Sequence, residues 1–171
     1  RDLEKAKALM AEAGQTDTEF ELISYDSDYV KDPADVVAAQ MREAGFKVKR
    51  TIIPGSSFWN DWTKYPWSTT EWGMRPLGVQ VLALAYRSGE AWNESAYTNP
   101  DFDTKLNAAL AIADPEKRKE LMKDVEFILQ DSGVLVQAFW RSLYRHHAPY
   151  VKNLVMHQTF EIHLDKVWLD K

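Results

Sequence analysis

The chain has 171 residues, of which 45% are hydrophobic and 27% are charged. This apolar content is too high for a disordered chain, and it suits a globular domain with a sizeable core. The net charge of −5 and the lack of a basic stripe argue against a nucleic acid partner. The chain has no cysteine, which excludes disulfides and zinc–thiolate sites.

The first third of the chain predicts alternating helices and strands. In residues 2–13, apolar side chains recur at steps of three and four, which is typical of an amphipathic helix. Residues 18–25 and 46–53 instead alternate between polar and apolar, which predicts two strands. Two strands joined by a helix predict a βαβ unit with parallel strands.

The helix between these two strands is predicted from its start signal. Asp32 is a suitable N-cap, and Pro33 suits the first helical position because it needs no N–H there. We expect Val36, Val37 and Met41 to lie on the buried face of this helix.

The rest of the chain predicts further helices and strands. A strand is expected over 68–72, and the apolar run 133–140 has the length of a central strand covered on both faces. The last 30 residues predict short strands and turns. The expected fold class is α/β, a mixed sheet flanked by helices. The expected further helices are 57–64, 77–86, 99–111 and 114–130.

Several segments resemble, in their order along the chain, those of family 5 of the bacterial extracellular solute-binding proteins. Members of this family bind peptides, opines and nickel chelates. The most specific is the stretch from Tyr97 to Asp103, Tyr-Thr-Asn-Pro-Asp-Phe-Asp, and the Glu71-Trp72-Gly73 motif also fits. Residues 2–14 and 114–131 are similar to helices of that family, and residues 41–48 are similar to its helix-to-strand step.

The resemblance implies a single C-terminal lobe over residues 1–171, of the type II periplasmic-binding-protein fold. Because the sequence begins with Arg, we expect the chain to be a piece of a longer protein whose N-terminal part lies outside it. The implied function is solute capture in a cleft between two lobes and delivery to the membrane permease of an ABC importer. The implied location is the periplasm, or the outer face of the cell membrane if the protein is lipid-anchored. The alternative is a regulatory or interaction domain that reuses the same lobe.

Five consecutive residues are the first candidates for ligand contact. In open α/β sheets, ligands bind beyond the carboxyl ends of the strands, and the Trp-Gly motif lies at the end of the strand predicted over 68–72. Trp72 can provide an apolar or stacking wall, and Gly73 would allow close approach of the backbone. The candidates are Trp72, Gly73, Met74, Arg75 and Pro76.

The sequence departs from the family pattern at this motif. Many peptide-binding members carry an Asp shortly after Trp-Gly, where it pairs with the α-amine of the peptide. This chain has Met74-Arg75-Pro76 instead. Because the guanidinium fork of arginine suits carboxylates and phosphates, we expect a small peptide or related solute that carries an anionic group, or one that is not recognised through a free amine.

Two further clusters are candidates for the same solute. Trp92 and Asn93 place an aromatic ring beside an amide in a turn-rich segment. Trp140 and Arg141 follow the apolar run and could line the cleft. For each cluster the alternative is packing or solvation.

No metal site, cofactor or catalytic residue is predicted. His146 and His147 are adjacent, His157 and His163 stand apart, and no pair has the helical spacing of a zinc site. Phosphate-binding glycine loops and nucleophile motifs are absent, so we expect a binding protein rather than an enzyme.

Overall fold

The structure is a computed structural model that describes residues 2–170. The chain divides into two compact units. The first unit comprises the residues up to Glu71 together with Ser88–Thr98, and the second comprises Trp72–Arg87 and the residues from Asn99 onward. Among the described residues, no helix combines the length and apolar character needed to cross a membrane.

The first unit alternates helices and strands, as the sequence predicts. Asp2 caps the first helix, because its carboxylate accepts a hydrogen bond from the Lys5 N–H at 2.9 Å. The elements are α1 (Leu3–Glu12), β1 (Glu19–Tyr25), α2 (Asp28–Glu43), β2 (Lys47–Ile53), α3 (Gly55–Asp61) and β3 (Ser68–Thr69).

The three strands form one parallel sheet in the order β2-β1-β3. Glu19 pairs with Lys47 at one end of the β1–β2 ladder, and Tyr25 pairs with Ile53 at the other. The predicted parallel βαβ unit is therefore confirmed. Since β1 is central, its second half is buried, whereas Glu19 and Glu21 near its start are exposed.

Two apolar clusters hold the first unit together. The first joins β1, β2 and α2, and the second lies where β1 meets the start of α2 and helix α3. Their buried members are Leu22, Ala34, Ala38 and Val48 in the first, and Ile23, Tyr25, Val30 and Phe58 in the second.

Helix α2 differs from the prediction at its start and on its buried face. It begins at Asp28 rather than beside Pro33, which lies inside the helix. The extra turn forms because Val30, which is fully buried, anchors it in the second cluster. The buried face follows the four-residue step from Val30 to Ala34 and Ala38, so the prediction for Val36, which is exposed, is wrong.

The second unit contains three helices, α4 (Gly78–Ala85), α5 (Pro100–Leu110) and α6 (Pro115–Ser132). The side chain of Asn99 accepts hydrogen bonds from the first turn of α5, and Asp114 does the same for α6. Leu106, Val125 and Leu129 are buried on these helices. The predicted starts of both helices are therefore confirmed.

A small antiparallel pair closes the second unit. It consists of β4 (Val151–Lys152) and β5 (Trp168–Leu169), and a short 3₁₀ helix, Leu164–Lys166, precedes β5. The α/β fold class is confirmed, with the strands divided between a parallel sheet and this antiparallel pair.

The predicted central strand over 133–140 is wrong. Gly133 ends α6 in the left-handed conformation, with φ of 64°, and residues 134–148 then follow an irregular path. Most of the large apolar side chains in this segment are exposed, including Val136 and Trp140. The segment has strand-like composition, but the described part of the chain offers it no neighbouring strand.

Candidate functional site

Polar side chains gather at the carboxyl edge of the parallel sheet, in the first unit. Tyr25 is the last residue of β1, and its hydroxyl donates a hydrogen bond to Glu71 Oε1 at 2.9 Å. Just after β3, the Thr70 hydroxyl donates to Glu94 Oε2 at 2.6 Å. This is the edge at which open parallel sheets bind ligands. Two carboxylates there favour a cationic or hydrogen-bond-donating group.

An aromatic cluster flanks the same edge. Trp59 lies 5.3 Å from Tyr25 and 5.7 Å from Trp62, measured between ring centroids. Phe58 on the same helix is fully buried, whereas Trp59 is exposed. The helix therefore uses Phe58 as its anchor and presents Trp59 as an apolar surface.

Tyr25, Glu71 and Glu94 are not among the residues predicted to contact a ligand, although the sequence carries signals for the first two. Tyr25 ends a predicted strand with a polar tip, and Glu71 begins the Trp-Gly motif. Glu94 was not predictable, because its contact with Thr70 joins segments 24 residues apart.

The predicted segment 72–76 follows β3 as irregular backbone and belongs to the second unit. Trp72, Met74 and Arg75 are half-buried. Arg75 Nη1 donates hydrogen bonds to the carbonyls of Gly73 at 3.0 Å and Met74 at 3.2 Å. These bonds fix the loop and leave Nε and Nη2 for other partners.

Gly73 has no packing requirement of its own. A Cβ at this position would meet Arg75 Nη1 at 3.6 Å, which is an ordinary contact. Its φ also lies outside the left-handed region that favours glycine. A constraint on Gly73 would therefore have to come from outside this chain's own packing, such as a ligand close to the backbone.

Asn93 organises a loop of the first unit. Its Nδ2 donates to the Tyr97 carbonyl at 2.8 Å, and its Oδ1 accepts from the Tyr97 N–H at 3.1 Å and the Ser95 hydroxyl at 3.2 Å. These bonds account for its burial, while its neighbour Trp92 is exposed. An open depression of about 290 Å³ lies beside it, lined by Gly89, Glu90, Asn93, Ala96, Tyr97 and Thr98.

The predicted site residues are divided between the two units. Trp92 and Asn93 lie in the first unit, and 72–76 and 140–141 lie in the second. Trp140 is 89% exposed on the irregular segment, and Arg141 beside it is also exposed. The assignment of these residues to a solute stays a prediction.

A comparison with protein families gives one match. Residues 1–94, more than half of the chain, match the profile described as bacterial extracellular solute-binding proteins, family 5, middle part. A search of curated proteins gives no match.

Solved structures share the fold. The oligopeptide-binding protein AppA from Bacillus subtilis, in complex with a nonapeptide, has a TM-score of 0.75 and 17% identity, over 98% of this chain and 37% of that chain. CtaP from Listeria monocytogenes, an ABC transporter substrate-binding protein, has a TM-score of 0.73 and 18% identity, over 100% and 37%. NikZ from Campylobacter jejuni, in complex with Ni(L-His), has a TM-score of 0.69 and 22% identity, over 78% and 31%. The chain spans about a third of the length of these proteins.

Proposed function

The chain belongs to family 5 of the bacterial extracellular solute-binding proteins, and we propose that it forms part of the solute-binding component of a peptide-type ABC importer. The match of residues 1–94 to that family is the observation that carries this proposal. Similar structures hold a nonapeptide or a nickel–histidine complex, which supports a small peptide or a related chelate as the solute class.

The proposed mechanism is capture without chemical conversion. Closure of a cleft removes water from around a solute, which strengthens its polar contacts. The loaded protein then docks on the permease subunits of the importer, outside the cell membrane. We propose that this chain is the C-terminal lobe and supplies one wall of the cleft, and that sequence outside these residues supplies the other.

The proposed contacts are those of the Trp-Gly segment and the two further clusters. Trp72 supplies an apolar wall, Gly73 allows backbone approach, and Arg75 pairs with an anionic group of the solute. The loop carbonyls that hold Arg75 Nη1 orient the guanidinium, so that its remaining N–H groups are available for a carboxylate. The other proposed contacts are Met74, Pro76, Trp92, Asn93, Trp140 and Arg141.

The test is to identify and then titrate the solute. The protein that carries this chain, with the rest of its sequence, is purified without denaturation, and the co-purified solute is identified by mass spectrometry. Calorimetry then compares the parent protein with Arg75→Ala. Loss of a charge-assisted pair should weaken binding at least about tenfold, since such bonds contribute about 1.5–3 kcal/mol.

Arg87→Ala is the matched control, because Arg87 lies in the same unit and donates to Asn107 at 3.4 Å. It should leave the affinity unchanged. If Arg75→Ala binds the identified solute as tightly as the parent protein does, the anionic-group proposal is wrong. If no solute co-purifies and no peptide binds, the solute-binding proposal itself fails.

A further inference from the structure

Three metal-ligating side chains that are separate in the sequence come together in the second unit. His157, Glu161 and His163 each offer one ligand atom, and these atoms all lie within 4.8 Å of one another. Glu161 Oε1 lies 4.0 Å from His157 Nδ1, and Oε2 lies 3.7 Å from His163 Nε2. The two imidazole rings meet edge to face, with centroids 5.6 Å apart.

The base of the loop that carries these residues is closed. The β4–β5 pair joins Lys152 to Trp168, and Asn153 Nδ2 donates to the Lys166 carbonyl at 3.0 Å. At the other end of the 3₁₀ helix, the Lys166 N–H donates to the His163 carbonyl at 3.0 Å. The stem therefore fixes where the loop leaves and re-enters the unit.

Hydrogen bonds from Arg145 shape the tip of the loop. The guanidinium of Arg145 donates to the carbonyls of Val155 at 3.0 Å, Phe160 at 3.2 Å and Glu161 at 3.4 Å. Phe160 has a φ of 61°, an unfavourable conformation for a bulky residue. This reversal, held by Arg145, returns Glu161 towards His157.

Thr159 connects two of the ligating groups. Its Oγ1 lies 2.9 Å from His157 Nδ1 and 3.1 Å from Glu161 Oε1. The Thr159 N–H also donates to His157 Nδ1 at 3.3 Å, so Thr159 holds the two ligating groups together, and an ion bound through Nδ1 replaces these bonds. A cavity of about 320 Å³ adjoins the cluster, and both histidines line it. Space for further ligands is therefore present beside the three side chains.

The donor set selects a class of ion. Imidazole suits zinc, nickel, copper and iron, whereas magnesium and calcium prefer oxygen ligands alone. Bonds of ~2.1 Å at tetrahedral angles separate ligand atoms by ~3.4 Å, so atoms that lie within 4.8 Å of one another must approach by at most about 1.4 Å. We propose that His157, Glu161 and His163 bind one divalent transition-metal ion, with water or a small chelator from the cavity completing its coordination.

The proposal is tested with zinc alone. The tag-free 171-residue chain is titrated with Zn²⁺ by calorimetry in a non-chelating buffer, and its thermal unfolding is followed with and without the ion. We expect one Zn²⁺ per chain and a rise in unfolding temperature. In the double variant His157→Gln/His163→Gln, affinity should fall at least about tenfold and the temperature shift should disappear.

The matched control is His146→Gln/His147→Gln, which removes two exposed histidines of the same unit. This variant should bind zinc as tightly as the unsubstituted chain does. Equal binding by the His157→Gln/His163→Gln variant, or loss of binding in the control, overturns the proposal. If the folded, unsubstituted 171-residue chain binds neither Zn²⁺ nor Ni²⁺, the proposal is also overturned.

Discussion

Two regions of this chain have similar strand-like composition and opposite outcomes. Strand β1 buries Leu22, Ile23 and Tyr25 between two parallel neighbours. The segment 134–148 is equally rich in Val, Leu and aromatic residues, yet it follows an irregular path with Val136 69% exposed. The difference shows that apolar β-formers specify a strand only where another strand satisfies their backbone groups.

A side chain on β2 also holds this strand against β1. Arg50 on β2 has a side chain only 10% exposed, and its Nη1 donates to the Leu22 carbonyl at 3.0 Å. Its Nη2 donates to the Ser24 hydroxyl at 2.6 Å. In 134–148, Gln137 donates to the Phe139 carbonyl at 2.8 Å, and Arg145 donates to the Val155 and Phe160 carbonyls of a loop rather than to a neighbouring strand.

The sharpest way to break this comparison is a matched pair of truncations. Phe58→Ala removes a ring that is 0% exposed and should cost about 3–5 kcal/mol in the free energy of unfolding. Phe139→Ala removes a ring that is 53% exposed and should cost under about 1 kcal/mol. Urea unfolding followed by circular dichroism measures both.

Equal losses in that pair would contradict the contrast, because they would mean that the Phe139 ring is buried in solution. Self-association of the chain is the route to that result. Sedimentation at two protein concentrations tests for self-association, because the population of an oligomer depends on protein concentration.

A second test removes the clamp between the strands. Arg50→Met should lower the free energy of unfolding by about 2–3 kcal/mol, because it removes the donor to the buried Ser24 hydroxyl and to the Leu22 and Thr51 carbonyls. Asp35 Oδ1 lies 2.8 Å from Arg50 Nε, but the two atoms are not aligned for a hydrogen bond. We therefore expect this ion pair to contribute less to stability than the bonds from Nη1 and Nη2. Arg50→Lys keeps the charge but not the fork, and should be nearly as unstable. A fully stable Arg50→Lys would show that the guanidinium bonds do not matter.

Local chemistry made much of the fold predictable. The helix caps Asp2, Asn99 and Asp114 act through bonds that span only two or three residues, so the sequence alone identifies them. Helix α2 was harder to place, because the burial of Val30 depends on Phe58, which is far away in the sequence.

The sites were less predictable for the same reason. The Trp-Gly segment is recognisable as a motif, but Arg75 bonding its own loop carbonyls is a matter of backbone path. The approach of His157 to His163 depends on the reversal at Phe160 and on Arg145, twelve residues before His157. Neither has a signature in hydrophobic pattern or spacing.

The smallest expected effect concerns the exposed face of the β1–β2 pair. Glu21 on β1 accepts a hydrogen bond from the Thr51 hydroxyl and lies 2.9 Å from Lys49 Nζ on β2. The Thr51 hydrogen bond, followed by Lys49, lowers the pKa of Glu21 below its ordinary value of 4.5. A lowered pKa in the folded state means that the contribution is present above 4.5 and is lost as the pH falls through the folded value.

Glu21→Gln should therefore be slightly less stable than the parent chain at pH 7, and the two should converge in acid. Urea unfolding of both proteins at several pH values measures this difference. Because the pair is exposed, the difference should also shrink in 1 M salt. A gap that stays constant from neutral pH to strong acid would mean that Glu21 acts through packing rather than charge. Strand pairing here would then rest on Arg50 and the buried face alone, which would widen the contrast with 134–148.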